Sequence, residues 1–110
     1  MRLELTGDEM FLALVSMIQV TRPALLKPSS DGFDVDVTPL LSQKDLNDDE
    51  RLVLRIYGII SGGVEKSTLA LDLTPAEAAR LSRALSLVER ARAWPPDALA
   101  LTRKLRARLG

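Results

Sequence analysis

Residues 47–73 read NDDERLVLRIYGIISGGVEKSTLALDL, and the conformation of Leu52 to Ile60 decides how the rest of the chain is arranged. Leu52, Leu54 and Ile56 recur at every second position, and Val53, Ile56 and Tyr57 suit a pleated surface. A helix capped by Asn47 is the alternative. The strand reading gains support from the next apolar run, in which Leu69, Leu71 and Leu73 alternate with Ala70 and Asp72. Gly62 and Gly63 between the two runs supply a tight turn in which both central residues need positive φ. Folded about that turn, Leu52 faces Leu73, Leu54 faces Leu71 and Ile56 faces Leu69, so all six side chains share one face. The opposite face receives Val53 with Asp72, Arg55 with Ala70, Tyr57 with Thr68 and Ile59 with Lys66. The spacing predicts a β-hairpin over 52–73.

The same window, GGVEKST, resembles the deviant Walker A loop of the chromosome-partitioning ATPases, G-K-G-G-x-G-K-[ST], at Gly62, Gly63, Val64, Lys66, Ser67 and Thr68. The resemblance covers about eight residues and departs where phosphate binding is made. Ile60 replaces the first glycine, Ser61 the signature lysine, and Glu65 the glycine whose freedom lets backbone N–H groups close on the phosphates. A carboxylate there adds a Cβ and a negative charge beside a triphosphate. A phosphate loop must also open a helix near Lys66, whereas Leu69 to Leu73 alternates as a strand and Pro75 would fall inside that helix.

Outward from the hairpin, two junctions repeat one pattern. LELTGDE at 3–9 and LDLTPAE at 71–77 share the form L-acid-L-T-x-x-E, a strand running into a helix whose first turn is closed by a Thr/Glu capping box. Shared capping rules account for the echo, and duplication of a β-α unit is the alternative. The first helix, from Gly7, carries Met10, Phe11, Leu12, Leu14, Val15, Met17 and Ile18 all round its axis, as expected of a central core helix or of one partly covered by another subunit. Pro23, Pro28 and SSDG mark a loop over about 21–32, and Phe33, Val35 and Val37 alternate with Asp34 and Asp36 as a half-buried strand. TPLLSQ adds a helical turn. The helix from Thr74 stops at the WPP of 94–96, and a last helix at about 97–109 places Leu101, Leu105 and Leu109 inward. The expected architecture is a single α+β domain over 1–110, β-α-β-β-β-α-α, with an antiparallel sheet that includes the 52–73 hairpin and about three helices.

Composition narrows the chemistry. The 110 residues are 46% hydrophobic with four aromatics, so the core is aliphatic. With no cysteine and no histidine, the sequence excludes disulfides, thiolate nucleophiles, zinc fingers and every Ser/His/Asp or Cys/His catalytic group. Asp45, Asn47 and Asp49 alternate as in a calcium loop, but Glu50 and Ile56 stand where that loop needs Gly and a bidentate Glu. Asp34 and Asp36 read as a polar strand face. Lys66 and Ser67, adjacent on a strand, point to opposite faces and form no dyad. No catalytic, cofactor-binding or metal-ligating residue is therefore assigned, and the chain is read as a non-enzyme without cofactor. The apolar run 11–20 is too short for the ~20 residues of a membrane span, and the N-terminus has no basic leader, which makes a cytoplasmic protein the expectation. The excess of Arg over Lys hints at a GC-rich bacterial genome.

The zero net charge conceals an asymmetry: residues 1–79 carry 7 basic and 13 acidic side chains, and residues 80–110 carry 8 and 2. Arg80, Arg83, Arg90, Arg103, Lys104, Arg106 and Arg108 are candidate contacts to an anion or to nucleic-acid phosphates, set against helix-dipole and intramolecular pairing. Phe11, Val15, Ile18, Tyr57 and Ile59 are candidate self-association residues. The function expected first is a non-catalytic protein-interaction module, a homodimer or one bound to a protein partner. Nucleic-acid binding through the basic C-terminal helices is the alternative.

Overall fold

The structure, a computed structural model, describes residues 1–29, 32–63, 67–91 and 96–109. The expected turn partners Glu65 and Lys66, together with Arg92 and Trp94, lie outside them. The chain is α+β. β1 (Arg2–Thr6) leads into α1 (Gly7–Thr21), then a 3-10 turn (Pro23–Leu25), β2 (Leu26–Ser29), β3 (Gly32–Val35), α2 (Thr38–Leu41), α3 (Asp48–Gly62), β4 (Thr68–Asp72), α4 (Pro75–Ala91) and α5 (Pro96–Leu109). Among the described residues there are thus five α-helices where about three were expected.

The 52–73 hairpin does not form. Asn47 Oδ1 accepts the Glu50 N–H at 2.8 Å and Glu50 Oε1 accepts the Asn47 N–H at 3.1 Å, a complete capping box. Asp48, Asp49 and Glu50 in the first turn complement the helix dipole. These local contacts, together with packing on α1, outweigh the strand preference of Val53, Ile56 and Tyr57. Val53, placed on the solvent face by the hairpin, is buried, while Leu54, placed in the core, is half-buried. Burial at Leu52, Val53 and Ile56 follows the helical period. Gly62 ends the helix and Gly63 caps it at φ −124°, so the positive-φ turn expected at these two glycines is not formed. A Cβ at Gly63 would run into the Leu69 side chain, and this close approach is the reason a glycine stands there.

The strand expected at 69–73 does form, but its partner is β1 rather than the preceding segment. The two pair antiparallel, with Leu3 opposite Leu71 and Leu5 opposite Leu69. The ribbon is prolonged by Leu73 N–H donating to Met1 O at 2.8 Å and the Met1 ammonium donating to Leu73 O at 3.0 Å. All four leucines face the helices, and the alternate residues face outward. A second antiparallel pair, β2 with β3, aligns Leu26 with Val35. Val37, expected at the end of that strand, is instead the N-cap of α2.

The echo between 3–9 and 71–77 has a spatial counterpart. Both capping boxes are made: Thr6 Oγ1 accepts from Glu9 N–H at 3.2 Å, and Thr74 Oγ1 from Glu77 N–H at 3.2 Å. Leu3 pairs with its own counterpart Leu71, while Arg2 faces Asp72 and Glu4 faces Ala70, so exchanging the two units leaves the register unchanged. α1 and α4 pack on each other, α3 packs on α1, and α5 packs on α4. The strand register of the two β-α units is therefore symmetric about the Leu3–Leu71 pair.

The units differ in what covers them. Between α1 and α3 the chain inserts residues 22–47, whose 3-10 turn and β2 pack on α1 and whose Leu25 and Leu40 enter the common core. α1, packed chiefly on α4 and α3, is buried on almost every side, consistent with the central core helix expected. Between α4 and α5 lie only residues 92–95. No helix among the described residues is long and apolar enough to cross a membrane.

Candidate functional site

The basic residues of the C-terminal third are divided: Arg83, Arg90, Arg103 and Arg106 border the recesses along α4 and α5, while Arg80 and Arg108 are engaged elsewhere. Arg80 reaches back to the start of α3, with Nη1 at 2.8 Å from Asp49 and Nη2 at 3.3 Å from Asp48, and these carboxylates raise its already high pKa. Arg103 and Arg106 both bind Glu89, at 2.9 and 2.7 Å. Arg108 donates to the edge carbonyl of Glu4 at 2.8 Å and lies 3.6 Å from the buried Glu9 carboxylate. Arg83, Arg90 and Lys104 are exposed, and among the described residues none has a carboxylate within 4.0 Å.

The expected self-association residues are also separated. Val15 and Ile18 are 1% and 0% exposed within their own chain, so α1 cannot present them to a second copy. The all-round apolar pattern that suggested a subunit contact is satisfied inside the molecule. Phe11 is 42% exposed. Tyr57 and Ile59 are half-buried against the core on α3, not on a hairpin face.

What the structure does bring together is the outer side of α4. Its solvent stripe runs through Ala76, Ala79, Arg83, Leu87 and Arg90. On one flank, against α1, Val20 and Leu87 are exposed around a recess of about 220 Å³ that also holds Arg80, Arg83 and Asp49. On the other flank a groove of about 710 Å³ runs between α4 and α5. Its walls are apolar or small (Met1, Pro75, Ala78, Ala79, Ser82, Ser86, Leu109), with Arg83 and Arg106 at the lip. Beyond Ser86 and Arg106 it continues into a polar recess of about 500 Å³ bordered by Glu89, Arg90 and Arg103. Sequence reasoning named the arginines but missed the groove, although Ala78, Ala79, Ser82 and Ser86 recur at helical spacing and were its visible signal.

Three further features bear on function. Glu50, 4% exposed, accepts from Arg22 Nη1 at 2.9 Å and from Gln43 Nε2 at 3.1 Å as well as from its capping partner. The Asn47 N–H, and then Arg22 and Gln43, hold its carboxyl below the usual glutamate value against the opposing effect of burial. This network ties the 22–47 insertion to α3. Glu77 is likewise held down by Arg55, at 2.7 Å, and by the Thr74 N–H. The outward face of the β1–β4 ribbon carries Arg2, Glu4, Thr6, Thr68, Ala70 and Asp72. A two-stranded ribbon has the dimensions to enter a DNA major groove, but two carboxylates against one guanidinium oppose phosphate there. Comparison of the chain with protein-family models, curated proteins and solved structures finds no match.

Proposed function

We propose that this chain is a non-catalytic protein-interaction module that binds through the outer side of α4. The observation that carries this reading is the α4–α5 groove, an apolar and small-residue trough that the described residues leave open beside Arg83. Hydrophobic burial there would supply the association free energy, and the arginines would set orientation.

The nucleic-acid reading is less favoured, because four of the seven candidate cations are held by internal carboxylates. A second copy seated on this same face is also disfavoured, since a two-fold contact along α4 would set Arg83 and Arg90 of one copy against those of the other. Incorporating a photo-crosslinking amino acid at Ser82, and separately at Arg51 on the outer stripe of α3, tests the reading in source lysate treated with nuclease. A discrete adduct to one protein from position 82 and none from position 51 is expected. Adducts lost on nuclease treatment, or equal from both positions, would overturn it.

A further inference from the structure

Aligning the two units on their shared L-acid-L-T-x-x-E segments sets Ala79 at the position of Phe11, Ser82 at Leu14, Arg83 at Val15 and Ser86 at Ile18. Where the chain covers the helix, these positions carry large apolar side chains, and Leu14, Val15 and Ile18 are buried. On α4 the same positions are small or cationic. The α4 wall of the volume between α4 and α5 thus carries small side chains and Arg83 where the aligned α1 positions carry large apolar ones.

From this we infer that the α4–α5 groove is a docking site for an acidic amphipathic helix of a partner protein; the inference rests on the module reading above. The partner class follows from three properties of the groove. Small residues at 78, 79, 82 and 86 let a helix backbone approach α4 closely, with the partner contributing the large apolar side chains. From Pro75 to Arg90 the trough follows α4, a length that about 15 helical residues, roughly 22 Å, would match. Arg83 and Arg90 border it without a carboxylate neighbour among the described residues, so this edge is complementary to carboxylates, whereas Arg103 and Arg106 are already bound to Glu89. A nucleic-acid strand would leave the exposed Met1 and Ala79 facing phosphates.

The test uses the full chain, isotopically labelled, and a synthetic helical peptide of about 15 residues with Leu and Met on one face and Glu along one flank. A control peptide replaces each Glu by Lys. The acidic peptide is expected to bind at low salt with amide shifts centred on Ala79, Ser82 and Ser86. Arg83→Glu combined with Arg90→Glu should weaken binding at least about tenfold, as loss and reversal of two charge pairs implies. Ser82→Trp, which fills the groove while leaving the charges, should abolish it. Circular dichroism and the dispersion of the amide spectrum confirm that each variant is folded. Equal binding of the Lys peptide, shifts away from α4 and α5, no binding, or displacement of the peptide by duplex DNA or RNA would overturn the inference. The two readings fail separately: an adduct at position 82 to a protein without an acidic helix removes the partner class and leaves the module, whereas no adduct removes the module itself.

Discussion

Truncating Val53 and Leu54 to alanine separates the helical and hairpin conformations of 48–62 in solution. Val53 is 1% exposed and buried against α1 and its surroundings, so Val53→Ala removes two fully buried methyl groups and leaves a cavity. At about 0.8 kcal/mol for each methyl plus a cavity contribution of similar size to one of them, the expected loss is about 2.5 kcal/mol. Leu54 is larger but only partly buried, and water can enter the space its truncation leaves. Its loss is expected near about 1 kcal/mol, on the same burial scale. The smaller side chain thus gives the larger effect, an order that side-chain volume alone would not produce. In a hairpin the order reverses, since Leu54 would lie in the core and Val53 in solvent. Urea unfolding of both variants and the parent, with m-values compared, reads the difference directly, and for a domain of this size it corresponds to roughly 6 to 10 °C between their melting temperatures. A Leu54→Ala loss equal to or greater than that of Val53→Ala would refute the helical placement of this segment.

Asn47→Ala is expected to cost about 1 kcal/mol through the lost cap, with a drop in far-ultraviolet helical signal on mild heating; a strand at this position would be indifferent to the change. Gly63→Ala should destabilise by about 1 to 3 kcal/mol through overpacking, because its Cβ meets Leu69 and lies 3.1 Å from Ile59 O. Gly58→Ala, an exposed helix position with open space around it, should stabilise by about 0.5 to 1 kcal/mol, and thermal unfolding of the pair checks both signs. Glu50 and Glu77 have folded pKa values below the ordinary 4.5, so the stability they confer is complete above that value and is lost as pH falls through the lowered values. With no histidine in the chain, urea midpoints should be flat from about pH 6 to 8 and fall on the acid side, and Glu50→Gln should flatten that acid limb.

The parts of the fold that were legible in the sequence are those governed by local rules. Thr6 with Glu9 and Thr74 with Glu77 announced both helix starts, and the alternation of Leu69, Leu71 and Leu73 announced β4. The misreading lay in 52–60, where one string of residues satisfies two periods. Leu52, Leu54 and Ile56 fit a strand, while Leu52, Val53, Ile56 and Ile60 fit a helix, and β propensity cannot arbitrate between them. The arbitration came from Glu50, which closes the cap on Asn47 and also receives Arg22 and Gln43 from the insertion. The Arg22 contact joins residues 28 positions apart in sequence. The partner of β4 was hidden for a related reason. Leu3 and Leu5 compete equally with Leu52 and Leu54 as a leucine-alternating mate, and sequence proximity favoured the wrong one. The arginines of the candidate site were visible as residues, but their division into paired and exposed sets depends on where Asp48, Asp49, Glu9 and Glu89 come to lie.

An apolar surface all round α1 and a small, cationic outer side on α4 look unrelated until the two helices are set in register through Thr6 and Thr74. They are then two outcomes at equivalent positions. α1 packs on α4, α3 and α5 as well as on the 3-10 turn and β2, and Leu14, Val15 and Ile18 are large and buried. α4 turns after four intervening residues into α5, and nothing among the described residues plays the part of 22–47. Had Ser82 and Ser86 been leucine and isoleucine, as at Leu14 and Ile18, the open trough would present a contiguous apolar patch and favour aggregation. Serine and alanine keep that surface soluble while leaving room for another chain, and Arg83, in the place of Val15, adds a positive charge at the edge. The same substitution pattern thus explains why the first helix is a poor candidate for self-association and why the fourth is the better candidate for binding.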